Sequence, residues 1–464
     1  MPAIPDKLRH HLHHHGHAHV LNWWEHLSEE EQTQLHDQLA ALDLEHLAKL
    51  FDSRDKASFV PPPEMIKPIS VIRIGTNEEK ARRLGEEALR AGRVACVLVA
   101  GGQGSRLGFE HPKGMFAIGP VSGKTLFQIH AEKVLALAKR FGQPVPLLVM
   151  TSDATHDETV DYFDENHRFG LPPGDVSFFR QGTMPALDLA TGKLLMETTG
   201  RLFVSPNGHG GTLTALNDSG LLEAVAGRGV TQVFYFQVDN PLVKMADPIF
   251  LGHHLLANAE ASSKVVAKAG PADKMGVFAE IEGRCSIIEY SDLPADLAKQ
   301  TDEKGQLRLW AGNPAIHLFS VDFLRQITRG EARLPFHVAK KKVPHVSEAG
   351  HNVHPEKENA LKFEMFIFDA LPMAERWTVV ESTRREEFAP VKNATGVDSP
   401  ETAKQAISDL AAAWLTRAGV QVPLNSEGAV TVGLEISPLF ALDAEELATK
   451  VKHGTVITRP TYFG

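Results

Sequence analysis

Residues 94–116 read VACVLVAGGQGSRLGFEHPKGMF. The first six are apolar and rich in valine, the composition of a strand buried on both faces. Glycines at 101, 102, 104 and 108 then break the run. Glycine lets backbone N–H groups approach phosphate oxygens closely and line an anion-binding concavity. Arg106 adds a planar fork of donors, and Lys113 a point charge stiffened by Pro112 before it. Neither common nucleotide fingerprint fits. GxGxxG aligned on Gly102 and Gly104 requires glycine at 107, where Leu107 stands. The nearby GPVSGKT (119–125) fails as a Walker A loop because its first glycine would fall at Ile118. It reads as a surface turn ahead of a helix.

Outward from this strand and loop, helical and strand patterns alternate. KTLFQIHAEKVLALAKRFG is a helix stopped by Gly142, PLLVMTS a strand, THDETVDYFDENHRFG a helix, VSFFRQG a strand, and VTQVFYFQVDN a strand ending at Asp239 and Asn240. Such alternation predicts an α/β fold with a parallel sheet between helices, and ligands at the carboxyl ends of its strands. The expected segments are an N-terminal helical part (1–62), a catalytic α/β domain (63–392) and a small C-terminal lobe (393–464). In the first, Ser28 and Glu31 make a capping box, Trp23 and Trp24 dock the helices, and VPPP (60–63) is a linker that cannot be helical. Histidines at 10, 11, 13, 14, 15, 17 and 19 read as a solvated, frayed terminus with incidental metal affinity. The last holds helix TAKQAISDLAAAWLTRAG and short strands near GAVTVGLEIS and TVITRP.

The 464 residues suffice for two or three domains and a large core. A net charge of −10 speaks against bulk nucleic-acid binding, although local Lys and Arg still serve a small anion. No apolar run reaches membrane-span length, and the opening residues lack the apolar core expected of a secretory signal. Cys96 and Cys285 make no disulfide framework, and Cys96 sits in an apolar run as a buried thiol. Together these features lead to the expectation of a cytoplasmic protein.

The pattern LxxGGQGxRLGxxxPKGM resembles the signature loop of the uridylyltransferases that make UDP-sugars, most nearly their UDP-N-acetylglucosamine pyrophosphorylase branch. The resemblance continues through PNGHGG (206–211), VDNPLVKMADP (238–248), MGVFAEIEG, IIEYSDLP, GNPAIHLF, FHVAKKKVPH, ENALKFEMFIFD and EFAPVKN. It implies a Rossmann-like nucleotidyltransferase (GT-A-like) fold with a mixed, mostly parallel sheet. It also implies uridylyl transfer with Mg²⁺, from UTP to N-acetylglucosamine 1-phosphate, by in-line attack on the α-phosphorus. The nucleophile is an ionised phosphate, so the site must position and neutralise two polyanions and needs no general base.

On that resemblance Arg106, Lys113 and Lys392 serve the phosphates, with Gly101, Gly102 and Gly104 lending backbone. Asp239, at a strand end, suits a hard octahedral cation shared with phosphate oxygens. Gln181, Gly208 and His209 fall on the nucleobase side. Gly276, Glu289, Tyr290 and Asn313 match sugar-pocket positions, and Phe366 and Phe368, alternating on FIFD, could present both rings from one strand face. His209 departs from the N-acetylglucosamine branch, which carries asparagine there, and matches the UDP-glucose branch. A UDP-glucose or broad UDP-sugar pyrophosphorylase is therefore the alternative within the class. A catalytically silent nucleotide-sugar-binding protein is the alternative outside it, but such a protein needs no complete phosphate clamp. A His-rich metal-storage protein would rest on residues 10–19 alone. No other partner is implied, whether nucleic acid or membrane, and the sequence does not give the oligomeric state.

Overall fold

The computed structural model describes residues 4–54, 61–329 and 334–464. They form two compact units. The first comprises Met1–Val60, Gly182–Gly211 and Leu334–Asp369, the second Pro61–Gln181, Thr212–Arg333 and Ala370–Gly464. Neither is continuous in sequence, so divisions at 62/63 and 392/393 mark stretches of chain and not these units. Cores are assembled by apolar contact, which takes no account of chain distance.

In the first unit, helices α1 (Asp6–His14), α2 (Glu29–Ala40) and α3 (Leu44–Asp52) start the chain. The capping box of Ser28 and Glu31 opens α2. Leu12, Trp24, Leu35 and Leu47 share a core with Leu187, Leu361 and Phe363, residues far along the sequence. The His-rich opening is therefore not frayed. Leu8 and Leu12, one helical turn apart, turn the same face of α1 to that core, and His17 is buried as well. Among the described residues no three His, Cys, Asp or Glu side chains gather as a metal site. Of the expected VPPP linker, Val60 lies outside the described residues, and Pro63–Met65 forms a single 3-10 turn. Strand Phe336–Lys341 pairs antiparallel with Ala360–Met365 and takes in Lys340 and Lys341.

The second unit is built on one mixed sheet. Its strands are β1 (Ile66–Pro68), β2 (Val94–Val99), β3 (Leu147–Thr151), β4 (Val176–Arg180), β5 (Gln232–Gln237), β6 (Ala261–Ala267), β7 (Val277–Ile281), β8 (Arg284–Ile288), β9 (Ala311–Gly312), β10 (His317–Ser320) and β11 (Trp377–Glu381). Their order is β1-β7-β9-β6-β10-β5-β2-β3-β4, with β8 on β7 and β11 on β6. From β5 through β2 and β3 to β4 every pairing is parallel, which sends four strand ends to one edge. That half carries the quoted stretch, and β2 is buried along nearly its whole length, as its valines require.

Helix α4 (Glu78–Arg90) precedes β2, and α5 (Leu126–Phe141) follows its loop, capped by Thr125 and ended by Gly142 at φ 71°. Helix α6 (His156–Glu165) joins β3 to β4. Helix α7 (Pro248–Leu256) crosses α4 closely: a Cβ on Gly252 would lie 1.8 Å from the Ala81 carbonyl oxygen. Towards the end, α8 (Pro400–Arg417) packs with a parallel pair, Leu434–Ile436 and Thr461–Phe463, around Leu415, Leu434 and Leu447. The second of those strands lies just past the expected TVITRP. Cys96 and Cys285 are free and buried. No helix among the described residues is long and apolar enough to cross a membrane.

Candidate active site

The loop after β2 is shaped by its own backbone. Ala100 still pairs with β3, its N–H donating to Met150 O at 2.8 Å. The N–H of Gly104 then reaches His111 O, and that of Lys113 reaches Gly102 O at 3.0 Å, which closes the loop on itself. A Cβ on Gly104 would strike Phe109 at 2.8 Å, so glycine is required there. Gly102 is different: its Cβ position faces open space. Gly101 is backed by the second strand end, since Ser152 Oγ donates to its carbonyl, and Gln181 Oε1 lies 3.1 Å from where its Cβ would be. Arg106 stands exposed on the turn Ser105–Leu107.

Across the sheet, Asp239 follows β5, nearly buried at 9% exposure. Its Oδ2 lies 3.6 Å from Lys113 Nζ, and its carbonyl accepts the Val391 N–H at 2.9 Å. Lys392 comes next in the chain, its Nζ 5.9 Å from the Phe388 ring centre. Asp398 is close enough to feel both charges. Burial pushes its carboxyl up, Lys392 and Arg384 pull it back, and Asp273 and Asp239 add to the rise. The structure thus links Gln181, Gly101, Gly102, Lys113, Asp239 and Lys392 in one continuous neighbourhood at the carboxyl ends of parallel strands.

The expected sugar-side residues of this unit also meet. The Asn313 N–H donates to Gly276 O at 2.9 Å. A Cβ on Gly276 would lie 2.9 Å from Glu289 Oε1. Tyr290 follows Glu289 in sequence and is 48% exposed.

Gly208, His209, Phe366 and Phe368 form their own group in the first unit. Gly208 has φ 85°, and a Cβ on it would be 2.3 Å from Met365 O. The His209 ring lies against Phe366 (5.4 Å, 30° between planes) and Phe368 (5.9 Å). The rings do not alternate on a strand as FIFD suggests. The strand stops at Met365, and Ile367–Met373 is a 3-10 turn. At that turn the Ile367 N–H donates to His209 Nδ1 at 3.2 Å, so the neutral ring carries its proton on Nε2. Burial, helped by neighbouring His337, pushes the His209 imidazole down to about 4. His337, within FHVAKKKVPH and outside the expected site residues, packs on Phe366 at 4.5 Å and donates from Nε2 to Asp369 Oδ2 at 2.8 Å. Its only sequence signal was a histidine placed among strand residues.

The GPVSGKT turn does hold an anion, but it is the protein's own. Val121 and Ser122 donate their N–H groups to Glu435 Oε2 at 2.9 and 2.8 Å, and Ser122 Oγ donates to Oε1 at 2.5 Å. Lys124 pairs with Glu132 at 2.6 Å and with the Tyr462 hydroxyl. His253 and His254 on α7 are buried, and His254 Nδ1 meets Ser262 Oγ at 2.7 Å.

A sequence profile described as UTP–glucose-1-phosphate uridylyltransferase matches residues 53–399, most of the chain. The chain belongs to that family. Within the family, it is 37% identical to UDP-N-acetylglucosamine diphosphorylase 2 of Arabidopsis thaliana, over 93% of this chain and 89% of the relative. It is 36% identical to UDP-N-acetylhexosamine pyrophosphorylase-like protein 1 of Xenopus tropicalis, over 96% and 94%. Among solved structures, the uridine diphosphate N-acetylglucosamine pyrophosphorylase of Trypanosoma brucei, in complex with an inhibitor, superposes with a TM-score of 0.83 at 27% identity, covering 97% of this chain and 95% of that one. The α/β nucleotidyltransferase fold of the family is thereby this chain's fold.

Proposed function

We propose that the chain is a nucleotidyltransferase that makes UDP-N-acetylglucosamine and pyrophosphate from UTP and N-acetylglucosamine 1-phosphate. The observation that carries the reading is the meeting of Lys113 and Asp239 beside an open glycine loop, with Lys392 next to the residue that Asp239 holds. Family membership and the names of the relatives support it.

In the reaction an oxygen of the sugar phosphate attacks the α-phosphorus of UTP. The bond from that phosphorus to the bridging oxygen breaks, and pyrophosphate leaves with the electron pair. Gly101 and Gly102 offer backbone to the triphosphate and Gly104, whose N–H is taken by His111 O, shapes the loop, while Arg106, Lys113 and Lys392 hold the triphosphate charge and align attack with departure. For the uridine, Gln181 is the contact read in the second unit, and Gly208 and His209, the latter as a neutral ring, are those read in the first. For the sugar hydroxyls, Gly276, Glu289, Tyr290 and Asn313 are the contacts read in the second unit, and Phe366 and Phe368 are read as N-acetyl contacts in the first.

A divalent cation fits Asp239. Mg²⁺ keeps several waters and takes one or two carboxylates plus substrate phosphates, so a lone strand-end carboxylate next to a phosphate loop suffices, and no protein cage of three ligands exists among the described residues. Bound there, Mg²⁺ would neutralise phosphate charge. The partners in this reading are small molecules only, and two free cysteines support a reducing compartment such as the cytoplasm.

A second reading, a glucose-type or broad UDP-sugar pyrophosphorylase, is favoured by one residue, His209. The test is pyrophosphate release from UTP and Mg²⁺ with N-acetylglucosamine, N-acetylgalactosamine, glucose and galactose 1-phosphates. Preference for N-acetylglucosamine 1-phosphate is the expected result. Preference for glucose 1-phosphate would hand the decision to His209, and silence with every sugar while UTP still binds would favour a binding protein.

A further inference from the structure

Lys392 reaches the site from a distant part of the chain, and something must hold it there. Its own segment has little regular structure: between the short helix Arg384–Glu387 and α8, no residue is in a helix or strand. Ordering comes instead from one side chain. Asn240, 4% exposed, stands directly after Asp239. Its Nδ2 donates to Glu387 O at 2.7 Å, and its Oδ1 accepts the Ala389 N–H at 3.2 Å. The same Oδ1 accepts the N–H of Leu242 at 3.3 Å, which fixes the amide to its own turn. The amide therefore staples two separate backbones together, and the Val391 N–H to Asp239 O bond completes the seam one residue short of Lys392.

Both sides of this staple are anchored. Glu387, 3% exposed, receives Lys264 Nζ at 2.6 Å and Ser382 Oγ at 2.7 Å. Lys264, 1% exposed and on β6, also donates to Asp247 Oδ2 at 2.7 Å. Lys133 on α5 donates to the carbonyls of Pro241 and Val243 at 2.6 and 2.8 Å, which pins the turn from the opposite side. Past Lys392 the chain is closed by Asp398, whose carbonyl accepts the N–H groups of Lys392 and Asn393 at 2.7 and 3.0 Å. Asp398 does so at φ 55°, a left-handed conformation that costs a non-glycine residue energy and persists only where its surroundings enforce it.

We propose that Asn240 is a positioning residue for uridylyl transfer: its amide, footed on the Lys264, Glu387 and Asp247 ion cluster, sets Lys392 against the phosphates opposite Asp239 and Lys113. The inference rests on the reading of Lys392 as a phosphate contact. A buried asparagine bonded only to backbone could be merely structural, and the two roles differ in what they do to turnover when Lys392 is gone.

The experiment is a double-mutant cycle on the full chain, with kcat and the KM for UTP measured by pyrophosphate release for wild type, Asn240→Ala, Lys392→Ala and the double variant. Asn240→Ala is expected to lower kcat by about tenfold to a hundredfold, as small misplacements of a catalytic group do, with little change in KM. In the Lys392→Ala background the same change is expected to cost almost nothing, because the group it positions is absent. An equal loss in both backgrounds, or an Asn240→Ala enzyme with wild-type kcat, overturns the inference. Should Asn240→Ala fail to fold, Asn240→Ser replaces it in the cycle, since it keeps a polar group for its own turn, is too short to hold Glu387 O, and adds no charge beside Asp239. A Lys392→Ala enzyme with undiminished turnover overturns the phosphate role of Lys392 and so the reading beneath; a strong Lys392 effect with an additive Asn240 effect overturns the inference alone.

Discussion

Two glycine- and lysine-bearing loops lie within thirty residues of one another in the second unit, and they differ in what fills them. In the loop after β2, the space beside Gly102 is open, and Lys113 Nζ stands 3.6 Å from Asp239 without closing to a tight pair. In GPVSGKT a Cβ on Gly119 would already meet Ser122 Oγ at 2.5 Å and Glu435 Oε1 at 2.8 Å. Two N–H groups and a hydroxyl there are saturated by one carboxylate, and Lys124 is saturated by Glu132 and Tyr462. Donor geometry alone does not make a ligand site. A nest of backbone amides takes whichever anion the fold supplies, and only the loop left unfilled is available to a substrate.

The sharpest way to break this comparison is to remove each lysine in turn. Lys113→Ala should lower kcat/KM about a hundredfold, the ~3 kcal/mol of a lost transition-state charge contact, and leave the melting temperature nearly unchanged. Lys124→Ala should do the reverse, lowering the melting temperature because the buried Glu132 loses its counter-charge, with turnover kept. Equal losses of activity from both would mean that the two loops act as one. Pyrophosphate release and thermal melts on the same preparations decide it.

A smaller effect comes from emptying the filled nest. Glu435→Ala leaves two amides and a hydroxyl without their buried acceptor and should cost about 2 kcal/mol, read as a shift in the urea midpoint. Added phosphate that restored the midpoint would show the emptied nest taking up an external anion.

The least effect is expected from pH, on the first unit. His209 titrates at about 4 in the folded protein and near 6.5 when unfolded. Between those values the unfolded chain binds a proton that the native chain does not, so stability falls as pH drops from about 6.5 towards about 4. Urea midpoints across this window should fall less steeply for His209→Asn, by at most one proton's worth of slope. Identical slopes would mean that the ring is not held neutral by its burial.

The open loop was the more legible of the two in sequence. Its valine run, its glycines and the strand–helix alternation each follow local rules, and β2, β3, β4 and β5 lie where that periodicity places them. Gly104 and Lys113 were legible for the same reason, because the contacts that fix them lie within twelve residues. What escaped was non-local. Nothing in GPVSGKT announces Glu435, which follows Ser122 by 313 positions. Lys264 sits in a strand as a buried cation, and a lysine reads as exposed until Asp247 and Glu387 are known to flank it. Asn240 reads as a turn residue after Asp239, because its three partners include two on a segment 147 and 149 residues away. The 3-10 turn at Ile367–Met373 was missed because it is fixed in part by His209, from a different stretch. In the His-rich opening, the spacing of Leu8 and Leu12 was present but outweighed by the histidines around it.

The filled nest also has a consequence for the order in which the protein can become itself. The 117–125 hairpin continues directly from the substrate loop: Ile118 and Gly119 donate to Lys124 O, and Leu126 donates to Phe116 O, three residues beyond Lys113. This hairpin leaves the ribosome early. Glu435 and Tyr462, which fasten it, leave late. Until they arrive, its amides face water and its lysine has only Glu132. The segment that carries Lys113 is thus secured last, and a chain still being synthesised holds its phosphate loop before it holds the clasp that steadies it.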